Sequence, residues 1–392
     1  MAIIYTEPAK YLPCIGDFDV VVAGGGFAGV SAALAAARNG ARTCLIEKNC
    51  SLGGLGTLGL VVDYLPLCDG RGTKLIGGIA EELMLGVSRY DGSAPPQCWQ
   101  PGQNTGGREQ KRYMLTYQPA AMELYLEEEL LQAGVTLFYD TRVCDLLRQE
   151  DRIEGLIVEN KSGRAVVAGR MFVDASGDAD VCNAAGETVI ESDQNVCAWW
   201  FYSRKDDKNI LNRRSENFYT ISEGSRTYKA SSHEDVTALS IDSRKKIRQY
   251  LRESGKGEQP LLLPSIPQFR MTRRVVGLET VGEEDDGRWM DSCIGMTGDW
   301  RKCGPRFCIP YGSICAARTK NLLVAGRCIS TTQSGWDIMR VIPVCAVTGQ
   351  AAGTAAAMAA KETCDTQAID RNELQSRLIR QGVVIEKAYM SR

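Results

Sequence analysis

Three glycines, Gly24, Gly26 and Gly29, stand at the spacing G-x-G-x-x-G, and Glu47 follows eighteen residues after the last of them. These residue types at this spacing can hold a dinucleotide. The first glycine takes the backbone angles of a sharp turn. The second carries no side chain to keep a pyrophosphate away, and the third lets the next helix lie close on its strand. Backbone N–H groups at Phe27 and Ala28, at the positive end of that helix, then face the phosphates. A carboxylate at Glu47 accepts the hydroxyl hydrogens of a ribose and disfavours a 2′-phosphate.

A glycine pattern alone is a weak signal, so the elements around it matter. Residues 18–23 are valine-rich and apolar apart from Asp19, as a buried parallel strand should be. Residues 27–38 read as an alanine-rich helix closed by Asn39-Gly40, and residues 42–46 as a second strand ending at Glu47. A second glycine-dense loop, residues 51–59, follows and includes Gly53 and Gly54. It leaves the same edge of the sheet as the first turn and lets backbone approach the rest of an extended ligand.

Composition narrows the function classes. The chain has 392 residues, 44% hydrophobic and 24% charged, with a net charge of −2. That length favours two domains, and no basic face is present for nucleic acid. Residues 1–16 lack the pattern of an export signal, and the uncharged run 343–360 reads as a helix buried inside the protein rather than a membrane span, so the expected location is cytoplasmic. Fifteen cysteines without a C-x-x-C are then expected to be mostly small buried thiols. The densest group is Cys293, Cys303, Cys308 and Cys315, whose spacing fits no standard iron–sulfur pattern.

Further along, residues 79–85 and 119–133 read as helices, and 90–107 as a long loop. Residues 135–138, 143–147, 154–159, 165–168 and 170–174 read as strands. From residue 183 to about 311 charges and aromatics increase, with a helix expected over 235–254. Residues 321–327 return to a buried strand and glycine turn. A loop over 331–340 and the uncharged helix from Pro343 follow. The expected class is α/β. A discontinuous nucleotide-binding domain spans 1–85, 115–182 and 316–392, with a flap at 86–114 and a second, α+β substrate domain at 183–315.

Four segments together resemble the FAD-dependent oxidoreductases of the fumarate-reductase and glutathione-reductase group: the 20–47 fingerprint, the Gly53-Gly54 loop, MFVDASGDAD at 171–180, and NLLVAGRCIS…DIMRVIPVCAVTGQAAG within 321–353. The resemblance implies a Rossmann-like FAD-binding domain, a parallel sheet with helices and a β-meander. It implies FAD on Gly24, Gly26, Phe27, Ala28 and Gly29, with Glu47 and Lys48 at the adenosine ribose and Gly53 and Gly54 along the pyrophosphate. Val143 would meet the adenine, and Ala175 and Gly177 would pass near the nucleotide. Gly326 and Arg327 occupy the position of a Gly-Asp that holds ribityl hydroxyls in related flavoproteins, so Arg327 is a departure. Val341 and Val344 would open the helix whose positive end faces the flavin N1–C2=O edge.

Histidine is the usual acid–base group, but His233 is the only one and lies in a polar helix start. Substrate-side chemistry therefore falls to other residues. Arg270 and Arg273, with Arg274, could clamp an anion. Asp337 and Arg340 precede the flavin-facing helix, Trp336 borders the pocket, and Tyr311 could donate a phenolic proton. Cys328 reads as a structural thiol. The expected activity is hydride transfer between flavin and a small, anionic or neutral, organic substrate, with an electron donor or acceptor that the residues do not identify. An electron-transfer or assembly subunit is the alternative, and a flavin-free NAD-binding protein the weakest reading.

Overall fold

The computed structural model describes residues 5, 7–193, 195–216, 226–255 and 257–390. Residues 1–4 and 6 of the segment read for an export signal lie outside it.

At the centre is a sheet that has seven strands among the described residues. They are β1 (Cys14–Ala23), β2 (Thr43–Ile46), β3 (Thr136–Phe138), β4 (Arg142–Gln149), β5 (Arg152–Asn160), β6 (Gly163–Asp174) and β7 (Leu322–Val324). The order is β3-β2-β1-β6-β5-β4, with β7 also paired to β6. Strands β3, β2, β1, β6 and β7 are parallel, and β4–β5–β6 form an antiparallel meander. Val20, Val21 and Val22 are fully buried, which is why the central strand is a run of valines rather than an alternation.

One expectation is corrected here. Residues 165–168 and 170–174 are not two strands but parts of the single strand β6. Gly169 does not break it: it pairs with Phe18, and a Cβ there would meet Val21 at 2.6 Å. The glycine serves close packing, not a turn. The continuity lets one half of β6 pair with the meander and the other with β7.

Three helices position the carboxyl edge of the sheet: α1 (Phe27–Arg38), α2 (Gln333–Met339) and α3 (Ile342–Glu362). Residues 331–340, read as a loop, are mostly α2, begun by the Thr332 hydroxyl accepting from the Gly335 N–H at 3.1 Å. Helix α3 is long and apolar enough to cross a membrane, but 89% of its apolar window is buried inside the protein. It lies along α1, and the glycines explain how. A Cβ on Gly349 would sit 2.1 Å from the Ala28 carbonyl, and one on Gly353 2.0 Å from that of Ala32. Contacts that advance together on both helices mean that α1 and α3 run parallel, with the start of α1 beside Gly349, seven residues into α3.

The segment after β6 carries its own antiparallel sheet, Phe201–Lys205, Lys208–Asn212 and Gln259–Leu262, and the helix His233–Glu253 capped by Ser232. Two clamps tie it to the glycine loops. Ser265 N–H donates to the Leu58 carbonyl at 2.8 Å, and the Gln268 side-chain amide donates to the Gly59 carbonyl.

Candidate active site

The strand register brings the chemistry to one edge. Ala23 pairs with Ile46 and with Asp174; Ile46 pairs with Phe138; Asp174 pairs with Val324. The residues just beyond these ends, Gly24, Glu47, Ala175 and, one further on, Gly326, therefore leave the sheet in one row. The N-terminus of α1 meets this row without a side-chain cap, so its first amides are available, and α3 meets it at Thr348, whose hydroxyl accepts from the Gly326 N–H.

The three fingerprint glycines do three different jobs. Gly24 has φ +105°, and a Cβ would lie 2.5 Å from the Ala175 carbonyl. On Gly29 a Cβ would lie 1.7 Å from the Gly24 carbonyl, the close helix–strand approach. At Gly26 a Cβ would meet nothing within 4 Å. That glycine faces open space, as a position that lets phosphate approach should. The second glycine loop closes on it: Gly53 N–H donates to the Gly25 carbonyl at 2.8 Å, and Gly26 and Gly53 bridge in parallel. A dinucleotide pyrophosphate fits this cradle.

Glu47 is buried. One carboxylate oxygen accepts from the Gly25 N–H at 2.7 Å, the other from the Asn49 N–H at 2.8 Å and side chain at 2.7 Å. Its own carbonyl accepts from the Thr141 N–H at 3.0 Å, which brings the start of β4 and Val143 beside it. Lys48 lies within electrostatic reach of Asp178 and Asp180.

Behind this row sits a group of charged residues. Arg327 donates to Asp178 at 2.7 Å, with Gly177 passing beneath the guanidinium. Burial alone would raise the Asp178 carboxyl, but Arg327 and Lys48 outweigh it and hold it below its ordinary value. Gly326, at φ +87°, packs on Ala28, and its N–H donates to Thr348 of α3 at 3.0 Å. Arg340, at the end of α2, pairs with Asp337. The Trp336 indole N–H donates to the Arg327 carbonyl at 2.6 Å, so α2 and the β7 turn are fixed to one another.

Arg270 joins this group; Arg273 and Arg274 do not join it as free cations. Asn195 accepts from the backbone N–H groups of Arg270 and Met271 at 3.1 and 3.0 Å, which fixes the segment. Arg273 is held by Glu191 at 3.0 Å and Asp180 at 3.2 Å. Arg274 donates to the Thr331 carbonyl and lies over the Trp336 ring at 5.3 Å.

Tyr311 is placed in the core, where its hydroxyl donates to the Thr366 carbonyl at 2.7 Å and burial pushes its pKa well up. A phenol so occupied is not available to a substrate. His233 is 89% exposed at the start of its helix. Cys293 and Cys308 are buried neighbours, Cys315 is buried, and Cys303 is exposed beside Gly70. Among the described residues no three His, Cys, Asp or Glu side chains group as metal ligands. Cys328 is buried, and burial raises its thiol pKa. The residues that sequence reasoning passed over are Asp178, Asn195, Gln268 and Trp200. Only Asp178 had a local signal, the carboxylate-rich run ASGDAD after β6.

Solved structures of similar overall course include a geranylgeranyl bacteriochlorophyll reductase-like protein of Thermoplasma acidophilum, at 14% identity over 93% of this chain and 83% of that one, TM-score 0.48. Another is the p-nitrophenol 4-monooxygenase of Pseudomonas putida, at 15% identity over 92% of this chain and 84% of that one, TM-score 0.49. Residues 19–196 and 190–378 match the sequence profile of the FAD dependent oxidoreductases. That match spans most of the chain and agrees with the open cradle at Gly26 and the carboxylate at Glu47. The chain belongs to the FAD-dependent oxidoreductase family, and is an enzyme whose cofactor is FAD.

Proposed function

We propose that this enzyme transfers a hydride between FAD and a small organic substrate, as a dehydrogenase or reductase of the fumarate-reductase and glutathione-reductase group. The flavin supplies the hydride chemistry; the protein supplies orientation and proton traffic. The observation that carries the cofactor's placement is the single row of turns at Gly24, Glu47, Ala175 and Gly326, with the open position at Gly26 between them.

In this reading the backbone at Gly24 to Gly29 and at Gly53 and Gly54 holds the pyrophosphate. Glu47 and Lys48 serve the adenosine ribose, Val143 the adenine, and Ala175 and Gly177 the nucleotide. Gly326 and Arg327 serve the ribityl chain, and Val341 and Val344 open α3 toward the flavin. Asp337 and Arg340 border the substrate side. The two charged groups hold each other in place, so the wall they form is rigid. Residues 1–85, 115–182 and 316–392 form the FAD domain, 86–114 a flap and 183–315 the substrate domain. The reaction is placed in the cytoplasm, with a separate electron donor or acceptor and no part for a membrane.

The test is an absorption spectrum of the purified protein, chromatography of the cofactor released on denaturation, and an anaerobic screen of carboxylates, ketones and alcohols. Released FAD together with bleaching of the flavin by one substrate class supports the reading. Flavin that responds only to a protein partner, with iron and sulfide present, would point to an electron-transfer subunit instead.

A further inference from the structure

Arg270 is 9% exposed, and its guanidinium has no hydrogen-bond acceptor or ion-pair partner among the described residues. What it has is a ring: the guanidinium lies over Trp200 at 5.6 Å. A buried cation without an anion is costly, and buried charges are ordinarily paired. Its neighbours make the site more positive. Burial, then the repulsion of Arg340 and Arg327, outweighs the pull of Asp337 and pushes the Arg270 pKa down to about 9. A guanidinium does not give up its proton in a protein.

Charge and donors both define what is missing. Arg327 is matched by Asp178 and Arg340 by Asp337. Of these three guanidiniums Arg270 is the one with no carboxylate partner among the described residues. Arg327 Nε and Arg340 Nε are also buried with no partner among the described residues, so donors remain unused beside Arg270.

The placement is built. Asn195 pins the Arg270 and Met271 amides, and Gln268 binds both the Gly59 carbonyl and the Trp200 backbone, accepting from Trp200 N–H at 2.9 Å. Arg270 is thereby held by the 183–315 segment but placed over the second glycine loop and the turns that carry Arg327 and Arg340.

We propose that Arg270 is the specificity-determining residue of the enzyme: it receives the carboxylate of a small organic acid substrate, with Arg340 as its charged neighbour. The inference rests on FAD lying at the Gly24 to Gly29 turn. A bidentate guanidinium fixes both position and orientation of a carboxylate. Arg270 is a binding residue here; no proton transfer is assigned to it.

The experiment titrates FAD-loaded protein with oxalate, succinate and benzoate, and with their neutral amides as controls, by calorimetry and by perturbation of the flavin band. Wild type, Arg270→Gln and Arg270→Lys are compared. At least one carboxylate should bind wild type and its amide should not. Arg270→Gln should weaken that carboxylate tenfold or more, and Arg270→Lys should recover part of the loss. FAD content should be equal in all three. The Tm of ligand-free Arg270→Gln should equal or exceed that of wild type, because an unpaired buried charge has been removed. Carboxylate affinity unchanged in Arg270→Gln overturns the proposal, as does a wild type that binds none of the three acids. Loss of FAD or of Tm in Arg270→Gln also overturns it, by assigning the guanidinium to the cofactor or the framework. Failure of the cofactor reading is seen separately, as a protein whose spectrum lacks flavin before any acid is added; calorimetry on that protein still decides whether Arg270 binds carboxylates.

Discussion

Arg327 Nη2 donates to Asp178 Oδ1 at 2.7 Å, joining the turns after β7 and β6 across 149 residues of sequence. The resemblance led to an aspartate at the position of Arg327. The carboxylate is still beside that turn, but it comes from the neighbouring strand. Its depressed pKa has a definite sign. A carboxyl whose folded pKa is lowered contributes stability that is present above its unfolded value of about 3.9, and loses it as pH falls through the folded value. Asp178→Asn should cost roughly 2–4 kcal/mol at neutral pH, somewhat below a fully buried pair because both groups keep some exposure. The difference in Tm between wild type and variant should narrow below about pH 4. A gap that is constant from pH 7 to pH 3 would show that the ion pair contributes no pH-dependent stability.

The fingerprint glycines should separate folding from cofactor retention. Gly26→Ala places a methyl in open space, so the protein should fold with a near-native Tm and lose FAD. Gly29→Ala puts a methyl 1.7 Å from the Gly24 carbonyl and should destabilise the fold itself, by roughly 3 kcal/mol or more. Thermal melts and flavin content on the two variants check this. Full flavin retention in Gly26→Ala would move the pyrophosphate elsewhere.

Glu47→Ala should weaken FAD retention by ~1–3 kcal/mol, the cost of charged hydrogen bonds, read from flavin release during dialysis. Part of that loss is indirect, because Glu47 also holds the Gly25 amide of the fingerprint turn at 2.7 Å. Glu47→Gln keeps an acceptor for that amide and should lose less. Equal FAD affinity in wild type and Glu47→Ala would remove the ribose assignment.

Tyr311→Phe should cost about 1 kcal/mol of stability, one hydrogen bond to the Thr366 carbonyl, and leave the pH profile of turnover unchanged. An altered profile would return the phenol to the proton path.

Gly353→Val should be among the most destabilising single changes, costing roughly 3–5 kcal/mol, because its side chain would enter the Ala32 backbone where α1 and α3 touch. Chemical denaturation measures it. A loss under 1 kcal/mol would mean the two helices can separate without cost.

Much of this fold was local and therefore legible in sequence. The valine run of β1, the three glycines, the alanines of α1 and Glu47 lie within 30 residues of each other, and each follows from backbone conformation and burial pattern. The uncharged composition of α3 likewise declared a helix buried on all sides. Where the reading went astray, the deciding contacts were distant. Gly169 read as a break because its reason, Val21 on the neighbouring strand, is not adjacent in sequence. The α2 segment read as a loop because its short helix is held by Trp336 on the Arg327 carbonyl and by Trp300 on the Asp337 carbonyl. The three arginines near position 270 were indistinguishable by type. Only packing set Arg273 on Glu191 and Asp180, set Arg274 on Thr331, and left Arg270 buried over Trp200 with no ion-pair partner among the described residues. Sequence determines which groups exist and which turns the backbone can make. The tertiary structure decided which charges cancel, because cancellation depends on a distance between residues that only folding sets.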